Sequence, residues 1–536
     1  MSTLPSDSSV RVGFHYLCSK LTARTLWVVG SLVIRSCANE IPAPALHFRV
    51  SEEVVQVRDP GHPGIWVRPL RVCVRLIILP ICRQTLTSMP IHSAVRMTVA
   101  PYGGEVLERP LSYTLIGRRR RHLHGRIHAL PEQNSSVYVR QSAKNRLYIT
   151  VRPRNHTDSP WMTPRIALAR LMSRFMRHDK VLLYEKNASR YEEGASIVFE
   201  RLIDSGYRHV RFVLAKSEIA SVPERYRRYV LPRFSLGHFA HLFSARTLLG
   251  TEVPAHAAEL RTANRTLLRF LNSGQFTFVH LQHGVMYMVS LDSDARKMVR
   301  QGKDFPRSTK VVCSSQAEAD HFVEQADFPR EDLYITGLPK FDRATREPDA
   351  DKILIMPTWR PWEYNSVRKD ALETSYGREL MEMLDAVPQH LRDKVYLLPH
   401  PLVREAFLGT PMEDLMWKDG SYDEALRQCA LLITDYSSIA YDAFYRGARV
   451  VFWWKDKDEC MAQYGGRLML EEGTAFGPVC YTADELRQAV LESYQAEQSA
   501  EDMRRFKRIV EFADGENTRR VVEALKRDGL IGSPQS

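Results

Sequence analysis

The chain has no long hydrophobic run. Its best apolar stretch, Leu26 to Ile34, is too short for a helix that crosses a bilayer, and it lacks the small-residue cleavage pattern of a secretory signal. Neither a spanning segment nor export is expected. Cysteine is sparse and scattered, eight in 536 residues with no CxxC pair. That points away from a disulfide framework and towards ordinary buried thiols in a reducing compartment. There is no zinc-finger spacing, no His/Cys/Asp set with metal-ligand spacing, no aromatic platform for RNA, no internal repeat and no low-complexity tract. Nucleic acid is therefore not an expected partner.

Positive charge is plentiful. Lys and Arg number 75 against 63 Asp and Glu, a formal charge of +12. An anionic partner follows, with a membrane face or a polyphosphate polymer ahead of nucleic acid. The length allows roughly two to four domains. Residues 1–24 are polar and read as a flexible N-terminus. Residues 25–160 are strand-like, with runs such as LHFRV, VCVRLIIL and RLYITVR separated by turn residues, and predict a β-rich, sandwich-like accessory domain. Its arginine run Arg118 to Arg121 reads as a solvated loop that could also meet anionic headgroups. Apolar residues at helical spacing follow, Ile166, Leu168, Leu171, Met172 and Phe175, with arginines between them. They predict a basic amphipathic helix, either peripheral to a membrane or packed on its own domain.

From there strands and helices alternate, which implies parallel sheets. Residues 161–343 form one Rossmann-like half and 344–536 a second, joined near the charged, proline-bearing stretch 342–351. The stretch LLITDYSSIAYDAFYRGARVVFW, Leu431 to Trp453, reads as a strand, a tight turn, a helix and a second strand. Asp435, Ser437 and Ser438 are candidates to cap that helix, whose start suits a phosphate. Asp442 lies four residues beyond Ser438, on the same helix face. Any α/β protein with a capped crossover helix would show the same local pattern. Three other segments repeat its grammar of apolar strand, then polar residues. His283 follows Phe276 to Leu281, His400 follows Val395 to Leu398, and Thr358 and Arg360 follow Ile353 to Met356. Ligands of open α/β sheets bind outside such strand ends.

With LQHG, MPTWR, LPHP and TDYSSIAYD in this order, the chain resembles the CDP-glycerol:poly(glycerophosphate) glycerophosphotransferase family of teichoic acid-type polymerases. LYEKNASRYEEGA and ITGLPKFDR belong to the same resemblance, which runs from about Val181 to about Tyr481. It implies two Rossmann-like domains facing a cleft, as in GT-B transferases, with the acceptor handled by the first half and a CDP-linked donor by the second. The charge of +12, the arginine run 118–121, the basic stretch 164–177 and the lack of a spanning segment lead to the expectation of a peripheral protein on the cytoplasmic face of a bacterial membrane. An enzyme of this family would move glycerol phosphate, or a related polyol phosphate, from CDP-glycerol or another CDP-polyol to a lipid-linked or glycan acceptor, releasing CMP.

The site expected from this is catalytic His283 and His400, with donor contacts from Thr358, Arg360, Ser437, Ser438 and Asp442. His283 would take the acceptor hydroxyl's proton, and His400 would donate to a phosphate oxygen or the leaving group. Arg360 would grip phosphate oxygens in bidentate fashion. No cofactor is required; Mg²⁺ on the diphosphate is compatible. The DxD matches at Asp292–Asp294 and Asp456–Asp458 read as solvated surface. The chain departs from the family where Pro361 and Trp362 precede Glu363, and where Leu397, Leu398 and Pro399 precede His400. Both departures leave the transferred polyol open. Two alternatives share these features: a GT-B sugar-nucleotide glycosyltransferase or epimerase, and a non-catalytic polymer- or membrane-binding scaffold.

Overall fold

Antiparallel pairing dominates the first part of the chain and parallel pairing the rest. The computed structural model describes residues 11–35, 47–50, 53–56, 65–67, 72–89, 94–96, 98–100, 109–110, 126–141, 147–293, 299–302, 305–367, 370–400, 403–418 and 421–532. The chain divides into two units, residues 1–164 with 261–269, and residues 165–260 with 270–536.

In the first unit, Arg11–Leu21 pairs with Thr25–Arg35, which pairs along its whole length with Val72–Cys82. Residues 11–21 are thus a strand where a flexible terminus was expected. The polar residues among its apolar ones hide it, yet Phe14 is fully buried. A second antiparallel sheet runs through His128–Leu130, Ser135–Gln141, Leu147–Pro153 and Ala94–Arg96. One apolar cluster draws on both sheets, from Phe14, Val28 and Leu79 to Val139, Ile149 and Val151. Four short strands between residues 47 and 110 make a third sheet. Arg152 is buried and closes the second sheet with two 2.7 Å bonds to Asp158. Such a fork satisfies both charges, which buried ions require. The arginine run 118–121 lies outside the described residues.

The second unit holds two parallel sheets. The first contains β1 (Lys180–Tyr184), β2 (Val210–Leu214), β3 (Val230–Pro232), β4 (Ala245–Gly250), β5 (Thr277–His280), β6 (Thr309–Cys313) and β7 (Leu333–Ile335), in the order β3-β2-β1-β4-β5-β6-β7. The second contains β8 (Lys352–Ile355), β9 (Val395–Leu397), β10 (Cys429–Thr434), β11 (Arg449–Trp453) and β12 (Val479–Cys480), in the order β9-β8-β10-β11-β12. These strands are near-continuous apolar runs because both their faces are covered; every residue of β10 and β11 is buried. In each sheet the strand order reverses once, between β1 and β4 and between β8 and β10. Ligands of doubly wound folds sit at such reversals, outside the carboxyl ends of the strands.

Several contacts tie the halves together. Backbone bonds join Ser290 to Arg467 (2.9 Å) and Met469 to Met288 (2.8 Å). In addition, the helix Asn517–Arg527 returns to the first half. Asp342 accepts the backbone N–H groups of Asn517 and Thr518 at 3.0 and 2.7 Å, and Thr247 donates to the Leu530 carbonyl at 2.6 Å. Gly337 permits this contact. It has a φ of +77°, and a Cβ on it would lie 2.3 Å from Asn517 Oδ1.

Candidate active site

The C-terminal ends of β8 and β10 hold the second half's share of the cleft. Asp435, the first residue after β10, does not cap the helix Ile439–Tyr445. It is buried and reaches sideways, and its Oδ1 accepts the Thr358 N–H at 2.7 Å, the Thr358 hydroxyl at 2.5 Å and the Tyr436 N–H at 2.5 Å. Burial raises its pKa, against the opposing pull of Arg360 and these donors. Asp435 therefore locks the two strand-end loops together. Ser437 Oγ accepts the Ile439 N–H at 3.4 Å, and Ser438, the N-cap residue, makes no side-chain cap bond. The hydroxyl of Ser438 faces the first half instead. A Cβ on Gly284 would lie 3.1 Å from Ser438 Oγ, so glycine there lets the His283 loop approach the serine turn.

Arg360 is turned inward and is 2% exposed. One guanidinium nitrogen donates to Ser375 Oγ, and Nη2 lies 2.7 Å from Asp456 Oδ2, a charge contact without hydrogen-bond alignment. Asp456 also accepts the Tyr436 hydroxyl at 2.8 Å. Thus Asp456 is half-buried and supports this turn, where a solvated surface was expected. Asp294 of the other DxD match lies outside the described residues.

His400 stacks on Trp359, with ring centroids 5.7 Å apart at 19°. The backbone N–H of His400 donates to the Tyr376 hydroxyl at 3.2 Å. Burial first, then the charge of His283, lower its pKa to about 4. Near neutral pH its imidazole is uncharged and offers a hydrogen bond more readily than a proton.

In the first half, the exposed His283 follows β5, and its Nδ1 lies 3.3 Å from the Thr251 carbonyl oxygen beyond β4. That bond assigns the proton to Nδ1 and leaves Nε2 as an acceptor. The His283 carbonyl accepts Lys340 Nζ at 2.7 Å, and the same Nζ pairs with Asp442 Oδ1 at 2.5 Å. Lys340 thereby clips the histidine loop of one half to the serine-turn helix of the other. It lies inside the ITGLPKFDR motif, which was its sequence signal, although no role was assigned to it there. Asp442 is buried in this pair.

Beyond β1 the chain makes a rare turn. Lys186, Asn187 and Ala188 have φ of 43°, 58° and 54°, the left-handed region that costs non-glycine residues energy and tends to mark functional sites. The buried Glu185 before it accepts N–H bonds from Glu193 (2.9 Å) and Ser196 (3.0 Å), while burial and Glu193 raise its pKa to about 7. Among the described residues no group of three His, Cys, Asp or Glu is placed to hold a metal.

Two parallel α/β halves that meet over strand-end loops make a GT-B-like fold. The chain belongs to the family CDP-Glycerol:Poly(glycerophosphate) glycerophosphotransferase, whose sequence profile matches residues 166–527. It is 23% identical over 317 residues to the "Minor teichoic acid biosynthesis protein GgaB" of Bacillus subtilis (strain 168). That match covers 54% of this chain and 34% of GgaB, so the chain spans about a third of this curated relative. Its fold is similar to that of the wall teichoic acid polymerase TagF, with a TM-score of 0.50 at 17% identity over 68% of this chain and 93% of the TagF chain. A TagF variant soaked with CDPG matches with the same coverage and TM-score at 15% identity.

Proposed function

We propose that the protein transfers glycerol phosphate, or a related polyol phosphate, from a CDP-linked donor to a hydroxyl of a lipid-linked or glycan acceptor in teichoic acid-like polymer synthesis. The observation that carries this reading is the approach of the His283 loop to the Ser438 turn across the halves, through Gly284 and the Lys340 bridge to Asp442. In it the acceptor hydroxyl gives its proton to His283 Nε2 as its oxygen attacks the β-phosphorus of the donor. The phosphoanhydride bond to CMP breaks, and CMP carries away the bond's electron pair. Negative charge grows on phosphoryl oxygens in this step, and preformed donors there lower the barrier. Ser437, Ser438 and Thr358 supply hydroxyls, and neutral His400 supplies an N–H. In this reading Arg360 supports the serine turn through Asp456 and Ser375 from beneath and does not grip phosphate. Mg²⁺ carried by the diphosphate is compatible with the arrangement.

Support comes from the family, from the part of GgaB in minor teichoic acid biosynthesis and from the TagF fold. Titration calorimetry with CDP-glycerol, CDP-ribitol and a UDP-sugar tests the donor class. Binding of a CDP-polyol with CMP release on adding an acceptor is the expected result. Preference for the UDP-sugar would move the protein to the sugar transferases.

The proposal includes place. Among the described residues no helix is long and apolar enough to cross a membrane. The charge of +12 and the helix Met162–Ser173 support reversible attachment to the cytoplasmic face of a bacterial membrane.

A further inference from the structure

The helix Met162–Ser173 has two apolar faces where periodicity suggested one. Ile166, Ala169 and Ser173 are buried against the protein. Leu168 (49% exposed), Leu171 (49%) and Met172 (40%), with Phe175 (87%) just beyond the helix, face solvent at spacings of three, one and three residues. Side chains so spaced on a helix form one stripe.

Beside that stripe lies a cavity of about 310 Å³ lined by Arg170, Arg174 and Arg246, with Phe243, Phe270 and Gln275. The Arg170 guanidinium lies over both phenylalanine rings, at 5.1 and 5.8 Å. Its Nη2 is 3.4 Å from Gln275 Oε1. No carboxylate lines the cavity, and none of the three arginines has an ion-pair partner among the described residues. The neighbouring pair, Arg177 with Asp179 at 3.3 Å, leaves them out. Three like charges gathered without a counter-charge repel one another, and a bound anion relieves that. The cavity opens at the start of β4, the end of the sheet opposite His283.

We propose that this cavity binds the phosphodiester headgroup of an anionic phospholipid while Leu168, Leu171, Met172 and Phe175 enter the acyl boundary. The inference deepens the attachment reading and rests on it. The outward stripe decides for a lipid over a soluble polyanion, because a polyanion has no use for four exposed apolar side chains beside its phosphate.

The test uses the full chain and vesicles of phosphatidylglycerol in phosphatidylcholine, against phosphatidylcholine alone. Arg174 and Arg246 are exposed, so Arg174→Gln with Arg246→Gln removes two charges without opening the core. The wild type is expected to sediment with the anionic vesicles and to leave them in 1 M salt. The double variant should bind about 30-fold more weakly, while CMP release with a soluble acceptor stays unchanged. Leu171→Ser with Phe175→Ser should also weaken binding. Wild type and the double arginine variant binding alike would overturn the cavity's role alone. Wild type ignoring both vesicles would overturn attachment and cavity together. Soluble poly(glycerol phosphate) that displaces the wild type from vesicles, and that the arginine variant fails to bind, would give the cavity to the polymer and overturn the lipid.

Discussion

At the scale of single residues, the cleft separates groups that act from groups that hold. His283→Ala and His400→Ala should each lower the rate of CMP release by roughly 10²–10⁴-fold, the usual span for lost acid–base groups, with thermal stability kept. Steady-state kinetics with donor and acceptor present decides this, and near-wild-type turnover in both variants would sink the mechanism. His400 also makes a stability statement. Its pKa falls from 6.5 to about 4 on folding, so between these values the unfolded chain binds a proton that the native chain refuses. Stability is therefore lost as pH drops from about 6.5 towards 4, by up to ~3 kcal/mol. Urea unfolding of wild type and His400→Gln at pH 7 and pH 4.5 should show the smaller loss in the variant. Asp456→Ala strands the buried Arg360 charge and should cost roughly 3 kcal/mol, while the exposed neighbour Asp458→Ala should be nearly silent. Equal effects of the two in a urea titration would mean that Arg360 finds another partner.

At the scale of elements, the parallel strands were legible because burial on both faces writes them as apolar runs. The polar residues just after them, His283, Thr358, His400 and Ser438, could be read as facing a cleft for the same reason. Three kinds of feature were not legible. The edge strands Val230–Pro232 and Val479–Cys480 are too short to carry a period. Side-chain direction was hidden at Asp435, which reaches to Thr358 where a cap was expected, and at Arg360, which turns inward. The helix Met162–Ser173 read as one apolar stripe because spacing alone does not tell which apolar residue finds the core. The family resemblance pointed to the motif around Lys340, but its bridge to Asp442 needed the two halves in place. One element-level prediction concerns Gly337, which combines a positive φ with a close approach to Asn517. Gly337→Ala should destabilise by about 2 kcal/mol or more and loosen the helix Asn517–Arg527. Differential scanning calorimetry, with hydrogen exchange along that helix, reads both effects. An unchanged helix would show that the loop can move aside.

At the scale of the whole molecule, the helix Asn517–Arg527 belongs by packing to the first half, although it follows the second in sequence. Removing residues 517–536 should therefore strip exchange protection from β4 and β7 before it touches β8 and β10. Hydrogen exchange read by mass spectrometry checks this, and losses confined to the second half would refute it. The same return has a consequence for how the protein is made. Asn517 docks on Asp342, 175 residues earlier. At roughly 5–20 residues per second, a ribosome needs about 10–35 s to cover that distance. For that interval the first sheet lacks the contacts that Thr247 and Asp342 make with the returning segment. Newly made chains should thus pass through a window of sensitivity to proteases and of chaperone capture, closing only once the helix Asn517–Arg527 has emerged from the exit tunnel.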